Sequence, residues 1–393
     1  MDVSTYGQDR VERMQRERVQ SRWAAAYAPV RHLDPVLVIS ALLLAAAGMV
    51  VIYSAKLQAL TVQGLPPTWY VSRQAIALVV GLVAFAIAAA FDYRHLRGYA
   101  AVIYLGAIAL LVLTLTPLGT EINGSQRWLV LAGFQLQPSE LAKAAVLISV
   151  AALLHERKGE PGLPTVGIAL ALVGVPTTLV FLQPDLGTSI VFVWIAAVLF
   201  LVGGVKARYL VGLTIAGVAG VVAALRLELI QSYQVQRLTG FLDAGDPSLA
   251  QGPVFQTRQS LIAIGSGQFF GKGLFEGTQT SLSYVPENHT DFIFTVVGEE
   301  FGFVGAAAIL ALFLVVIWRG LRIAVLSKDL FGTLLAAGIV GIFTLQVFLN
   351  VGMTVGIMPV TGIPLPFVSY GGTSLIVWLA MIGLLLNIHM RRF

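Results

Sequence analysis

FGTLLAAGIVGIFTLQVFLNVGMTVGIMPVTGIPLPFVSYGGTSLIVWLAMIGLLLNIH, residues 331–389, decides what kind of protein this is. It holds no Asp, Glu, Lys or Arg. Two apolar runs stand in it, 331–356 and 367–389, and about 20 such residues suffice to cross a bilayer as a helix. Between them, PVTGIPLPFVSYGGTS (359–374) sets three prolines and three glycines in a short stretch. Irregular backbone at membrane depth survives only where protein or a cavity surrounds it. The stretch therefore reads as a re-entrant or tightly packed loop lining a cavity, with Ser369 and Tyr370 as polar tips.

Working outward, similar apolar runs occupy 35–55, 72–91, 98–117, 138–155, 165–182, 187–203, 209–225 and 291–318. The fold class is an all-α polytopic membrane protein with about ten transmembrane helices. Composition agrees. Hydrophobic residues make up 57% of the chain and charged residues 11%, against roughly 25% charged in soluble domains. The run at 35–55 is not a cleavable signal, because a polar segment precedes it and no A-x-A site follows.

The basic residues orient the bundle. With the N-terminus inside, most of the 25 Lys and Arg fall in cytoplasmic segments, as the positive-inside rule requires. Both termini are then cytoplasmic. Residues 1–34 form a cytoplasmic N-terminal segment and 35–393 a single transmembrane domain. A large loop (226–290) stands outside between the seventh and eighth spans, too long for a connection without a role. The net charge of +5 thus reads as topology plus attraction to anionic membrane lipid, not as nucleic-acid binding. There are no cysteines, which excludes disulfides and thiolate chemistry. The five histidines are scattered singly, without metal-ligand spacing.

Polar groups at membrane depth mark candidate sites, and all map to the outer half. NGSQRW (123–128) brings Arg127 and Trp128 to a short apolar stretch along the interface, where Trp128 reads as an aromatic-belt anchor. In QPSELAK (137–143), Glu140 and Lys143 share a helix face. They are either a self-neutralising ion pair or a polar cavity wall with Lys143 open to a phosphate. QPDLGTS (183–189) places Asp185 at a helix start, where capping accounts for it. In both strings a proline suits the first helical turn. In PENHTDFIFTVVGEE (286–300), Asp291 opens an apolar helix directly after Glu287, His289 and Thr290. Helix dipole and low-dielectric surroundings act on its carboxyl in opposite senses. A poised carboxylate there suits general-base work, and an N-terminal cap is the plainer alternative. Glu299 and Glu300 lie deeper and need partners that the sequence does not identify.

GSQRWLVLAGFQLQPSELAK, QPDLGTS, IAIGSGQFFGKGLFEGTQ, VPENHTDFIFTVVGEEFGFVG and GIPLPFVSYGGTS, in this order from about residue 123 to 374, resemble the SEDS family (shape, elongation, division and sporulation proteins). The last blocks are more similar to its elongation branch than to its division branch. The resemblance implies a peptidoglycan glycosyltransferase of the bacterial inner (cytoplasmic) membrane, acting on lipid II in cell elongation and shape maintenance. It implies an essential aspartate at Asp291, a required tryptophan at Trp128 and the family's second aspartate at Asp185. The implied partners are a class B penicillin-binding protein and other elongation-complex proteins. GPVFQTRQS (252–260) departs from the family's loop pattern, so the resemblance carries no role over to it.

On this reading Asp291 is the general base. Substrate contacts fall to Trp128, Arg127, Glu140, Lys143, Asp185, Glu287, His289, Thr290 and Ser369. Lys143, Arg127 and Arg258, or a divalent cation held by carboxylates, are the sources of positive charge for a pyrophosphate leaving group; no cofactor is otherwise called for. The competing expectations are a lipid II flippase, or the division-specific polymerase of the same family. An ion-coupled solute carrier fits less well, since it would need charges near the midplane of several spans.

Overall fold

The computed structural model describes residues 32–122, 125–131, 133–157, 160–227, 235, 237, 252–282 and 284–392. Segment 1–34 and loop 226–290 therefore fall largely or partly outside the described residues.

Each apolar run folds as a helix, because only a helix satisfies its own backbone in lipid. The helices are α1 (Pro35–Val62), α2 (Trp69–Ala90), α3 (His95–Thr114), α4 (Pro138–Glu156), α5 (Leu163–Phe181), α6 (Leu186–Val202) and α7 (Ala207–Arg226). They continue with α8 (Gly252–Gly267), α9 (Thr278–Ser281), α10 (Ile293–Val325), α11 (Leu330–Thr354) and α12 (Gly372–Met390). Eight are long and apolar enough to cross a membrane, and two shorter apolar helices, Leu186–Val202 and Ala207–Ala223, complete the ten expected positions. Carboxylates cap three starts. Asp34, Asp185 and Asp329 accept from the backbone N–H groups of Leu37, Thr188 and Gly332, which would otherwise be orphaned at a helix end. Pro138 opens α4, whereas Pro184 stands before the Asp185 cap and outside the helix.

The helices run up and down between two ends. At one end the connections are tied by ion pairs between Arg94 and Asp329, Arg319 and Asp34, and Arg391 and Asp92. The other end carries the cavity. Helices α4, α11 and α12 form the inside of the bundle, while α2 and α3 leave most of their apolar surface outward. That outward surface suits lipid, which is as apolar as leucine. The α12 helix packs most extensively on α2, α3 on α4, and α10 on α1, α8 and α11.

Three features depart from the sequence reading. First, the bundle is not wholly helical. β1 (Gly119–Ile122), β2 (Ser125–Leu131) and β3 (Phe134–Leu136) form an antiparallel sheet in the order β1-β2-β3. The residues just after Trp128, up to Leu131, are thus strand. Trp128 pairs with Thr120, and Leu129 with both Gly119 and Leu136. Second, the described part of loop 226–290 contains α8, packed along α10.

Third, α10 is broken. Gly302 has φ 63° and ψ −160°, a conformation essentially reserved for glycine. The break frees backbone groups on both sides, and segment 268–273 takes them up. Phe303 and Val304 N–H donate to the Gln268 and Phe269 carbonyls at 3.0 and 3.1 Å. The Glu299 and Glu300 carbonyls each accept, from Lys272 and Gly273 N–H, at 3.0 Å. The side chains of Glu299 and Glu300 find partners nearby. Glu299 binds Lys272 Nζ at 2.7 Å and accepts from Gln279 and Thr280 N–H. Glu300 accepts from the Ser54 hydroxyl at 2.5 Å.

A Cβ at Gly302 would lie 2.3 Å from Gly271 N and 2.8 Å from Phe269 O. Both are backbone atoms and cannot rotate away. Gly302→Ala is expected to destabilise the protein by at least the roughly 1–3 kcal/mol of a strained backbone, read as a lower melting temperature in detergent. Glu140 and Lys143, each 1% exposed, pair at 2.6 Å inside α4. Lys143→Met leaves a buried carboxylate uncompensated, so a loss of about 3–5 kcal/mol is expected, and Glu140→Gln combined with it should recover much of that loss.

Candidate active site

The segment Pro286–Phe292 connects α9 to α10. Glu287 sits in the left-handed region with φ 53°, and its carbonyl accepts from Thr290 and Phe292 N–H. This turn presents Asp291 at the mouth of α10. The three carbonyls that follow are each held from outside the segment. The His289 carbonyl accepts from Tyr370 N–H at 2.9 Å. The Thr290 carbonyl accepts from the Ser369 hydroxyl at 2.5 Å. The Asp291 carbonyl accepts from the Asn350 amide at 2.8 Å. Gln74 of α2 in turn donates to the Ser369 carbonyl and accepts from Gly371 N–H. The proline- and glycine-rich 359–374 stretch thus clasps the acidic segment.

These elements enclose a cavity of about 1020 Å³, at the upper end of the roughly 300–1,000 Å³ usual for small-molecule sites. Its walls come from the start of α2 (Trp69, Tyr70, Arg73, Gln74) and from the sheet and its exit (Arg127, Trp128, Phe134, Gln135). The rest comes from 286–292, the 359–374 stretch, Arg237 and Gln256. Its cationic lining residues are Arg73, Arg127 and Arg237, and its carboxylates are Glu287 and Asp291. Among the described residues no three His, Asp or Glu converge as a metal shell.

Arg127 is braced by the carbonyls of Gln183 and Pro184 and lies 3.8 Å from the Asp185 carboxylate. The cap of α6 therefore also orients a cavity cation. The Arg73 guanidinium lies 4.2 Å over the Trp69 ring, a cation–π contact that holds it on the wall. Tyr70, His289 and Tyr370 form an aromatic cluster, with Tyr70 edge-on to the other two. Gly362 has φ 70°, and a Cβ there would stand 3.3 Å from Asp291 Oδ2. The carboxylate thus rests against bare backbone.

Burial is the main influence on the Asp291 carboxyl, pushing its pKa up to about 7, with Glu287 adding to the rise and Arg127 opposing it. His289 goes the other way. Burial, assisted by Lys56, lowers it to about 3, so it is a neutral imidazole at physiological pH.

Of the site residues expected from sequence, Asp291, Glu287, His289, Thr290, Arg127 and Trp128 share the cavity wall. Asp185 and Ser369 stand behind it, one on Arg127 and one on the Thr290 carbonyl. Glu140 and Lys143 do not reach it, because their buried pairing consumes the lysine charge. Arg258 is exposed on α8, outside the lining. Tyr70, Arg73 and Gln74 line the cavity as well and are not among the residues expected from sequence. The signal available was an arginine and a glutamine inside the opening turns of an apolar span, where neither serves solubility. Arg237 and Gln256 carried no such signal.

A bundle of lipid-facing helices with a polar, mixed-charge cavity at one end defines a multi-pass membrane protein built to handle polar groups beside a bilayer. Residues 34–392 match the FtsW/RodA/SpoVE family, described as cell cycle protein, and the chain belongs to it. It is 40% identical over 361 residues to the peptidoglycan glycosyltransferase MrdB of Escherichia coli K12, covering 92% of this chain and 94% of that one. It is 37% identical over 358 residues to stage V sporulation protein E of Bacillus subtilis (90% and 96% covered). Among solved structures, RodA of Thermus thermophilus superposes with a TM-score of 0.67 at 31% identity (92% and 98% covered). A chain of a peptidoglycan synthase complex that coordinates polymerization and crosslinking superposes with a TM-score of 0.74 at 32% identity, with the same coverage. The protein is a peptidoglycan glycosyltransferase of the SEDS family.

The two shifts make a kinetic prediction. Should Asp291 act as a base, its pKa near 7 gives a rate that climbs about tenfold per pH unit below that value and levels above it. His289→Gln should leave the midpoint of this limb in place, since His289 is already neutral there. The pH profile of polymerisation checks both. Folding linkage runs opposite. Between the ordinary carboxylate range and pH 7 the folded chain holds a proton at Asp291 that the unfolded chain has lost, so this contribution to stability falls as pH rises.

Proposed function

We propose that the protein polymerises lipid II at the outer leaflet, with Asp291 as general base. Asp291 takes the proton of the acceptor sugar's 4-hydroxyl, and the oxygen attacks the anomeric carbon of the donor. The bond to the lipid pyrophosphate breaks on the opposite face, so the configuration inverts. The observation that carries this reading is the Asp291 carboxyl on the wall of the cavity, held near neutrality, where proton transfer at physiological pH is best matched. A glycosidase needs a second carboxyl to protonate a poor leaving group. Pyrophosphate leaves without one, and the guanidinium groups of Arg73, Arg127 and Arg237, which line the same cavity, are placed to stabilise its charge.

Sidedness follows from the charge pattern. The basic connections of the opposite bundle end belong in the cytoplasm by the positive-inside rule. The cavity then faces outward from the inner membrane, residues 1–34 lie inside, and 35–393 act as one transmembrane domain. The partner is a class B penicillin-binding protein, in keeping with the synthase complex that this chain resembles. Similarity to the E. coli MrdB sequence supports a role in elongation.

The test is glycan synthesis by the purified protein, with its partner, from lipid II. Asp291→Asn keeps the size and removes the base, so polymer yield should fall by about 10²–10⁴-fold. Retained synthesis sinks the base assignment. Movement of lipid II across vesicles by the wild type, without polymer, would establish a flippase instead.

A further inference from the structure

We propose that Asn350 of α11 is a positioning residue for glycosyl transfer, its buried amide fixing where the Asp291 carboxylate stands. This rests on the base assignment above and adds to it the group that places the base.

Asn350 is 0% exposed and does not line the cavity. Its Nδ2 donates twice, to the Asp291 carbonyl and to the Ile363 carbonyl, each at 2.8 Å. Its Oδ1 is buried with no hydrogen-bond partner among the described residues. A buried amide oxygen left unpaired is costly. The amide is therefore committed to donation, since turning it over would set its oxygen against two carbonyl oxygens.

The two carbonyls belong to different segments. One is the backbone of the base itself. The other adjoins Gly362, where an added Cβ would stand 3.3 Å from Asp291 Oδ2. One side chain thus fastens the carboxylate and the surface it rests on to each other. The neighbouring ties, from Tyr370 and Ser369, come from the 359–374 stretch. Asn350 instead comes from α11, two-thirds of which is buried in the bundle, and so refers the base to the protein core. Displacing a reacting group by about 1 Å costs on the order of 10²-fold in rate.

The experiment compares Asn350→Leu and Asn350→Gln with wild type, as full-length protein with its partner, in lipid II polymerisation across pH. Leucine has similar size and no donors. It should lower kcat on the order of 10²-fold while KM changes by only a few-fold. It should also displace the acid limb of the kcat profile, because the carboxyl shifts relative to Glu287, Asp185, Arg127 and Arg237, the charged groups that face it. Asn350→Gln, which keeps the amide on a longer arm, should recover part of kcat. Wild-type kcat and limb in Asn350→Leu overturn the proposal. So does a lowered kcat with an unmoved limb and a reduced melting temperature, which marks a merely structural role. If Asn350→Leu yields no monodisperse protein, Asn350→Ser, with one donor for two carbonyls, is judged by the same criteria. Activity in Asp291→Asn would refute the base reading itself. An inactive Asp291→Asn beside a wild-type-like Asn350→Leu would refute this inference alone.

Discussion

At membrane depth a peptide group without a hydrogen-bond partner has no water to turn to. Helices meet that demand internally, and an active site built from irregular backbone does not. In this protein the irregular stretches are completed from elsewhere in the fold. Segment 268–273 pairs with the groups freed at Gly302. Residues 369–370 and Asn350 pair with the carbonyls of 289–291. The Gln183 and Pro184 carbonyls, freed where α5 ends, hold Arg127. The cavity is therefore lined by backbone that is pinned at many points, which is what a fixed catalytic geometry requires.

The same low dielectric sets the chemistry. A carboxyl among apolar neighbours resists ionisation, and Asp291 feels that along with Glu287. Arg127 and Arg237, which line the same cavity, keep the shift from running further. The result is a carboxyl that changes charge near physiological pH, beside cations available to a phosphate. Burial acts on His289 in the opposite chemical sense, because for imidazole the charged form is the protonated one. Two neighbours in sequence thus acquire opposite characters from one environment.

The spans were legible from the sequence because hydropathy reports the cost of polar groups in lipid directly, and every apolar run became a helix. Asp291, Glu287, His289 and Thr290 were legible because charge at the edge of an apolar run is expensive and stands out. The three-stranded sheet was not. Its strands are three to seven residues long, and they pack on α3, α4 and, from far along the chain, α12. The fate of Lys143 was not legible either. Spacing showed that it could meet Glu140, but only packing decided that the pair would be sealed and the charge withdrawn from the cavity. In sequence Asn350 is one polar residue inside a long apolar run. Its meaning lies in two carbonyls, 59 and 13 residues away in sequence, that no local pattern brings together.

The sealed pair in α4 has an electrical consequence. A membrane potential does work on net charge moved along the field, about 2.3 kcal/mol per elementary charge per 100 mV. Lys143 and Glu140 lie 2.6 Å apart and move, if they move, as a unit of zero charge. A helix carrying either alone would be a voltage sensor in miniature, pulled one way in an energised cell and released in a depolarised one. Carrying both, α4 offers the field no net charge to act on at this pair.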